Sequence, residues 1–181
     1  IESDSDNLIS IKTSTSEFSV VSFPVEEFPK IGEKEEIKES LTFSRDIFRD
    51  MVRKTSFAAS VDESKGILVG ILTEIGTEKV SMVALDGFRL ALANEAMTSE
   101  RENKFIISAK IMNEISKIIT EDESDDDISI LLGEKKATFI IGSTEIVLRL
   151  MEGEFIKYND IIPKDNTITV VTGKSMLLES I

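Results

Sequence analysis

Some residues of this 181-residue chain carry chemistry in their spacing. The first group is cationic. Arg45, Arg49 and Arg53 recur every four residues, and Lys110 and Lys117 stand seven apart. At about 100° per residue each set falls along one side of a helix, where it could contact successive phosphates of a polyanion without reading sequence. The ordinary alternative is a pair of solvated helix faces, since arginine favours helices and Asp46 and Asp50 stand close enough to pair with it. The second group is Asp86-Gly87-Phe88-Arg89-Leu90-Ala91. Gly87 permits a tight turn that would project Phe88 and Leu90 beside a mobile cation. Such a bend serves either as the tip of an ordinary hairpin or as apolar anchorage for a peptide.

The third group is acidic: Glu121 to Asp127 holds six carboxylates in seven residues. A calcium or magnesium site, structural or in a metal-dependent nuclease, is one reading. The spacing argues against an EF-hand, because position 6 counted from Asp122 is Asp127 rather than glycine and position 12 is Gly133 rather than glutamate. A solvated loop closing a helix fits better. Thr172-Gly173-Lys174-Ser175 ends like a phosphate loop, but Ile168 occupies the place of its first glycine.

Composition narrows the remaining chemistry. Without cysteine there are no disulfides, no thiolate nucleophile and no Cys-based metal site, which fits a reducing cytosol. Without histidine there is no imidazole base and no Ser-His-Asp triad. Carboxylates, lysine, serine and the single tyrosine, Tyr158, remain, so no catalytic residue, metal ligand or cofactor is assigned. Thirty-four acids against 21 bases give a formal charge of −13, which as an average disfavours a simple basic nucleic-acid binder. An extracellular α+β interaction module is a further reading of acidity and strand content. No run approaches the roughly 18 apolar residues of a membrane helix. The opening Ile1-Glu2-Ser3-Asp4 lacks methionine and is acidic where a secretory signal is basic, so the expectation is a piece cut from a longer, cytoplasmic protein.

Periodicity then places these residues on elements. Alternation over residues 7–23 predicts two strands, followed by an acidic linker marked by Pro24, Pro29 and Gly32 to Glu39. Ser44 is the candidate N-cap of a helix running to about Ser60, with Ile47, Phe48, Met51 and Val52 on its apolar face. Strands are predicted over Ile67–Ile75, Lys79–Leu85, Phe88–Asn94 and Phe105–Ile107. A second helix covers Ser108 to about Thr120, burying Ile111, Met112, Ile115, Ile118 and Ile119. Strands over Ile128–Leu132, Ala137–Ile141 and Glu145–Leu150 complete the pattern. This is β-α-β-β-β written twice, with the two helix-opening serines 64 residues apart, and it implies an α+β domain with mainly antiparallel strands. The charge divides accordingly. Residues 44–60 hold four bases and two acids and residues 108–120 two bases and one acid, leaving −16 for everything else.

The run Val83-Ala84-Leu85-Asp86-Gly87-Phe88-Arg89-Leu90-Ala91 closely resembles the signature of the middle domain in the bacterial DNA polymerase III β subunit family, the replicative sliding clamps. Three further segments fall in the same order: Phe23 to Pro29, Phe57-Ala58-Ala59-Ser60 with Gly66 to Gly70, and Leu150 to Phe155 with Ile161-Ile162-Pro163. One departure is Phe155-Ile156-Lys157-Tyr158, where the family commonly has Phe-Pro-Asp-Tyr. The resemblance implies a DNA-clamp fold with two helices on the inner face and sheets outside. It divides the chain into the end of one clamp domain (1–30), a complete central domain (31–161) and the start of a third (162–181). It also implies a non-catalytic homodimeric ring around double-stranded DNA, held without sequence preference. Arg45, Arg49, Arg53, Lys110, Lys117 and, more remotely, Lys65 would face that DNA. A peptide-binding cleft for the polymerase III α subunit, the clamp loader and other clamp-binding-motif proteins would draw on Leu68, Leu85, Gly87, Phe88, Arg89, Leu90 and Pro163. The family builds the rest of that cleft from the end of the third domain, so weak or no peptide binding is expected of this chain alone.

Overall fold

The computed structural model describes residues 1–3, 8–27, 35–99, 101–121 and 127–181. In chain order the described elements are β1 (Glu2–Ser3), β2 (Leu8–Lys12), β3 (Glu17–Val21), β4 (Glu39–Phe43), α1 (Arg45–Thr55), β5 (Gly70–Ile75), β6 (Lys79–Leu85), β7 (Leu90–Ala96), β8 (Asn103–Ser108), α2 (Ala109–Glu121), β9 (Ile128–Leu132), β10 (Lys136–Ile141), β11 (Thr144–Arg149) and α3 (Lys174–Glu179). All strand pairings are antiparallel, in sheets ordered β1-β2-β3, β11-β10-β9-β4 and β7-β6-β5-β8.

The two β-α-β-β-β units exchange their leading strands. β4 leaves its own unit to pair with β9, and β8 pairs back onto β5. The registers match: Phe43 lies opposite Ile128 as Ile107 lies opposite Ile71, and Leu41 opposite Ile130 as Phe105 opposite Thr73. The correspondence continues into the next strand, where Thr73 faces Met82 as Ile130 faces Phe139. It breaks at the following turn. Ile141 and Thr144 pair across two residues, whereas Leu85 and Leu90 pair across the four residues Asp86 to Arg89. The sequence signature sits where the repeat departs from itself.

One core joins the two four-stranded sheets to α1 and α2. Phe48, Met51 and Val52 of α1 and Met112, Ile115 and Ile119 of α2 are buried against Leu41, Phe43, Ile71, Ile107, Ile130 and Phe139. Phe48 meets Phe43 and Phe139 edge-on at 5.9 and 5.8 Å, so one helical side chain bridges strands of both units' sequence. The sheet of β9 to β11 alternates buried and more exposed residues, as a sheet covered on one face must. In β6, by contrast, every residue from Val80 to Leu85 is buried. A second cluster of Leu72, Val83, Leu85, Ile106 and Tyr158 covers the opposite face of that sheet, with Met151, Phe155 and Ile162 packed on it.

Several boundaries differ from the sequence-based expectation. The strand β4 begins at Glu39, the last residue of the stretch assigned to a linker, and residues 40–43, to which no element was assigned, complete the leading strand of the first unit. Residues expected to begin a strand at Ile67 instead close a 3-10 segment, Glu63–Val69, broken at Gly66, whose φ is +56°. The third strand begins at Leu90 rather than Phe88, because Phe88 and Arg89 belong to the turn. α1 ends at Thr55, followed by a 3-10 turn over Ser56–Ala58. Ser44 occupies the N-cap position but its side chain makes no cap bond; its carbonyl accepts from the Phe48 amide at 3.0 Å. Ile47 and Ile111 stand at the margins of their helices' apolar faces, 37% and 36% exposed. Most of the acidic tract Glu121 to Asp127 lies outside the described residues. Among the described residues no cluster of three potential metal ligands occurs, and no helix is long and apolar enough to cross a membrane.

Candidate functional site

Two candidate surfaces lie on opposite faces of the β7-β6-β5-β8 sheet. On the helical side, α1 and α2 pack next to one another and in opposite directions. Arg45, at the start of α1, donates to the Ile119 carbonyl near the end of α2 at 3.4 Å. Backbone carbonyls at a helix C-terminus carry partial negative charge, so a cation there is favourably placed. An open groove follows the helix pair, and its lining includes Arg49, Arg53, Lys110 and Lys117. Four of the five predicted helix cations are therefore brought together. Arg45 braces the helices instead of lining the groove, and Lys65 is exposed in the 3-10 segment beside it without lining it.

The groove is charge-compensated to a degree that composition did not reveal. Asp46, Asp50, Glu63 and Glu114 line it along with the four cations. Arg49 pairs with Asp46 at 3.5 Å, Arg53 with Asp50 at 2.5 Å and Lys117 with Glu114 at 2.8 Å, each three residues apart on one helix. Lys54 also pairs with Asp50. Its ammonium, and next the Arg53 guanidinium, hold the Asp50 carboxyl below its ordinary value. The i,i+3 spacing of acid and base was legible in the sequence; what it meant for the groove required the helices to be set together.

On the other face, Asp86 organises the turn between β6 and β7. Its Oδ1 accepts from the backbone amides of Phe88 at 2.9 Å and Arg89 at 3.0 Å, and its Oδ2 from Arg89 Nε at 2.9 Å. The two amides, ahead of the guanidinium, draw the carboxyl below its ordinary value. Gly87 has a φ of +98°, a left-handed geometry that side chains disfavour, and a Cβ there would meet nothing within 4 Å. Glycine is thus required by backbone geometry rather than by crowding. Phe88 is 97% exposed. Arg89 extends over the Phe57 ring, 5.9 Å from its centroid, a partner that sequence spacing did not suggest.

Leu68, Leu85 and Leu90 converge on the second hydrophobic cluster, immediately behind this turn. Leu85 is buried, while Leu68 and Leu90 are half-buried. Pro163 is exposed and follows Ile162, which packs on the same cluster. The segment after β11 holds the arrangement in place. The Met151 amide donates to the Ile106 carbonyl at 2.9 Å, and the buried Tyr158 hydroxyl donates to Glu74 Oε2 at 2.6 Å. A short 3-10 turn over Tyr158–Asp160 follows Ile156-Lys157 and seats that ring. The unbroken burial of β6 was the available signal for a two-faced sheet: Val80-Ser81-Met82-Val83-Ala84-Leu85 reads as a nearly continuous apolar run.

Comparison with known proteins matches residues 42–157 to the family model described as the DNA polymerase III beta subunit, central domain. The chain is 25% identical over 183 residues to the beta sliding clamp of Bacillus subtilis, covering 100% of the chain and 48% of that protein. It is 28% identical over 172 residues to the beta sliding clamp of Chlamydia muridarum, covering 93% and 45%. The crystal structure of the DNA polymerase III beta subunit from Thermotoga maritima superposes with a TM-score of 0.73 at 29% identity, covering 90% of this chain and 44% of that one. The chain spans about half the length of the curated relatives it matches.

Proposed function

Because the chain belongs to the DNA polymerase III beta subunit family, we propose that it is the central part of a bacterial sliding clamp, a non-catalytic processivity factor of chromosomal replication. In this reading residues 31–161 form the complete central domain, 1–30 close the preceding one and 162–181 open the next. The full protein is a cytoplasmic homodimeric ring around double-stranded DNA. Its mechanism is topological, since a closed ring cannot leave a duplex sideways, and contacts inside it must be weak enough to let the ring move.

The observation that carries this reading is the placement of Arg49, Arg53, Lys110 and Lys117 along one groove on the helical face, within a chain whose residues outside the two helical segments sum to −16. Arg45 sets the helix pair, and Lys65, exposed in the 3-10 segment beside the groove, is the more remote contact. An acidic exterior with a mildly attractive bore favours DNA inside the ring and disfavours it elsewhere. On the opposite face, Leu68, Leu85, Gly87, Phe88, Arg89, Leu90 and Pro163 supply one side of a cleft for short apolar peptides of the polymerase α subunit, the clamp loader and other clamp-binding proteins. Gly87 sets the turn, Asp86 ties it, Phe88 is offered to solvent, and Leu68 and Leu90 form an apolar floor.

Charge reversal tests the groove. Arg49→Glu with Arg53→Glu in the full-length ring should shorten retention on circular primed DNA and flatten its salt dependence, and adding Arg45→Glu should deepen the loss. Unchanged retention and salt dependence in the double variant would show that α1 does not face DNA.

A further inference from the structure

Three of the four groove cations are not presented as free charges. Arg49 and Arg53 of α1 and Lys117 of α2 each engage a carboxylate three residues earlier on the same helix, Asp46, Asp50 and Glu114. Those carboxylates line the same groove. We propose that these three acids are functional elements of the DNA-facing surface: each holds a cation that a phosphate captures only by displacing the carboxylate, and this exchange keeps the grip on the duplex weak. The inference rests on the DNA-facing reading above and names the residues that tune it.

The geometry suits exchange better than permanent neutralisation. All three pairs stand at the surface, with Asp46 94% and Glu114 59% exposed, so water or phosphate oxygen can replace either carboxylate without burying it. Helix-surface pairs at this spacing are weak, each shifting an equilibrium by roughly 1.4- to 2.3-fold. A phosphate can therefore compete for any one of them. Each released carboxylate stays beside the incoming phosphate and repels it, so the net gain per contact remains small. Asp50 is the most firmly committed of the three, being shared by Arg53 and Lys54. Lys110 offers the contrast: among the described residues it makes no ion pair, so a phosphate there displaces nothing.

The test replaces the acids isosterically, Asp46→Asn, Asp50→Asn and Glu114→Gln, in the 181-residue chain. A control carries the same change of net charge outside the groove: Glu134→Gln, Glu145→Gln and Glu152→Gln, all at exposed positions. Binding to a short DNA duplex is read by amide chemical-shift titration, which detects weak association and maps it, at low and then rising salt. The groove variant should bind about threefold to tenfold more tightly than the unmodified chain, from three pairs of the stated strength. Its log-affinity should fall more steeply with log salt, by up to roughly 0.9 per carboxylate removed. Shifts should concentrate on α1 and α2, and the control should gain much less. Groove and control variants binding equally well would overturn the exchange, because overall charge would then explain the effect. Absence of shifts on α1 and α2 in all three proteins would overturn the DNA-facing reading itself. Glu114→Gln alone leaves α1 intact; should the triple variant lose helicity, a gain with this substitution still supports the exchange, and no gain overturns it.

Discussion

Alkaline titration of the folded chain should report one phenol, Tyr158, since the sequence holds no second tyrosine and no tryptophan. Tyr158 is 7% exposed, and its hydroxyl donates to the Glu74 carboxylate at 2.6 Å. Burial first, then the hydrogen bond and charge of Glu74, push the phenol up from an ordinary 10.0 to about 12. The folded value lies above the unfolded one, so the associated stability is complete below pH ~10 and is lost as pH rises through ~12. A displacement of this size corresponds to roughly 2–3 kcal/mol. Tyrosinate absorbance should therefore rise near pH 12 in the native chain and near 10 in urea. Urea unfolding across that window, compared with Tyr158→Phe, should show the native chain losing about 2–3 kcal/mol relative to the variant. Glu74→Gln should bring the folded value only part of the way down, because burial of the ring remains. A native phenol titrating near 10, with the two proteins losing stability in parallel, would refute the account of how the segment after β11 is anchored over the sheet.

Two further substitutions test the packing that holds the surfaces in place. Phe48→Ala removes a fully buried ring that meets Phe43 and Phe139 edge-on, and should cost about 3–5 kcal/mol, read as a lower urea midpoint at unchanged slope. Thr73→Val should stabilise the chain by about 1 kcal/mol in the same assay, because the buried Thr73 Oγ1 has no hydrogen-bond partner among the described residues. The register supports the change, since Ile130 occupies the corresponding position in the second unit.

Much of the site was legible because its causes are local. Arg49 and Arg53 project together from any helix that buries Phe48, Met51 and Val52. Asp86-Gly87 is a turn wherever it falls between two apolar strands. The length of the turn was not legible. Gly87 points to a turn that projects Phe88, but alternation starts the strand at Phe88, whereas Asp86 captures its amide and that of Arg89, delaying the strand to Leu90 and leaving the ring in solvent. Nor could spacing show that Arg89 finds Phe57, or that Tyr158 reaches Glu74, because each pair is joined only when separate elements pack. The marginal exposure of Ile47 and Ile111 has a similar cause: the helix pair buries a narrower stripe than each helix's apolar pattern offers.

From the sequence alone came the two helices with their faces, the doubled order of elements, the Asp-Gly turn and the uneven distribution of charge. These follow from backbone periodicity and turn chemistry, which act over a few residues. The tertiary structure decided which strands exchange between units, which sheet is covered on both faces, and how the charges meet. β4 finds β9, and β8 returns to β5, through pairings between strands far apart in sequence that no local preference encodes. That exchange sets the helices side by side, turning two cationic stripes into one groove lined by carboxylates as well as cations.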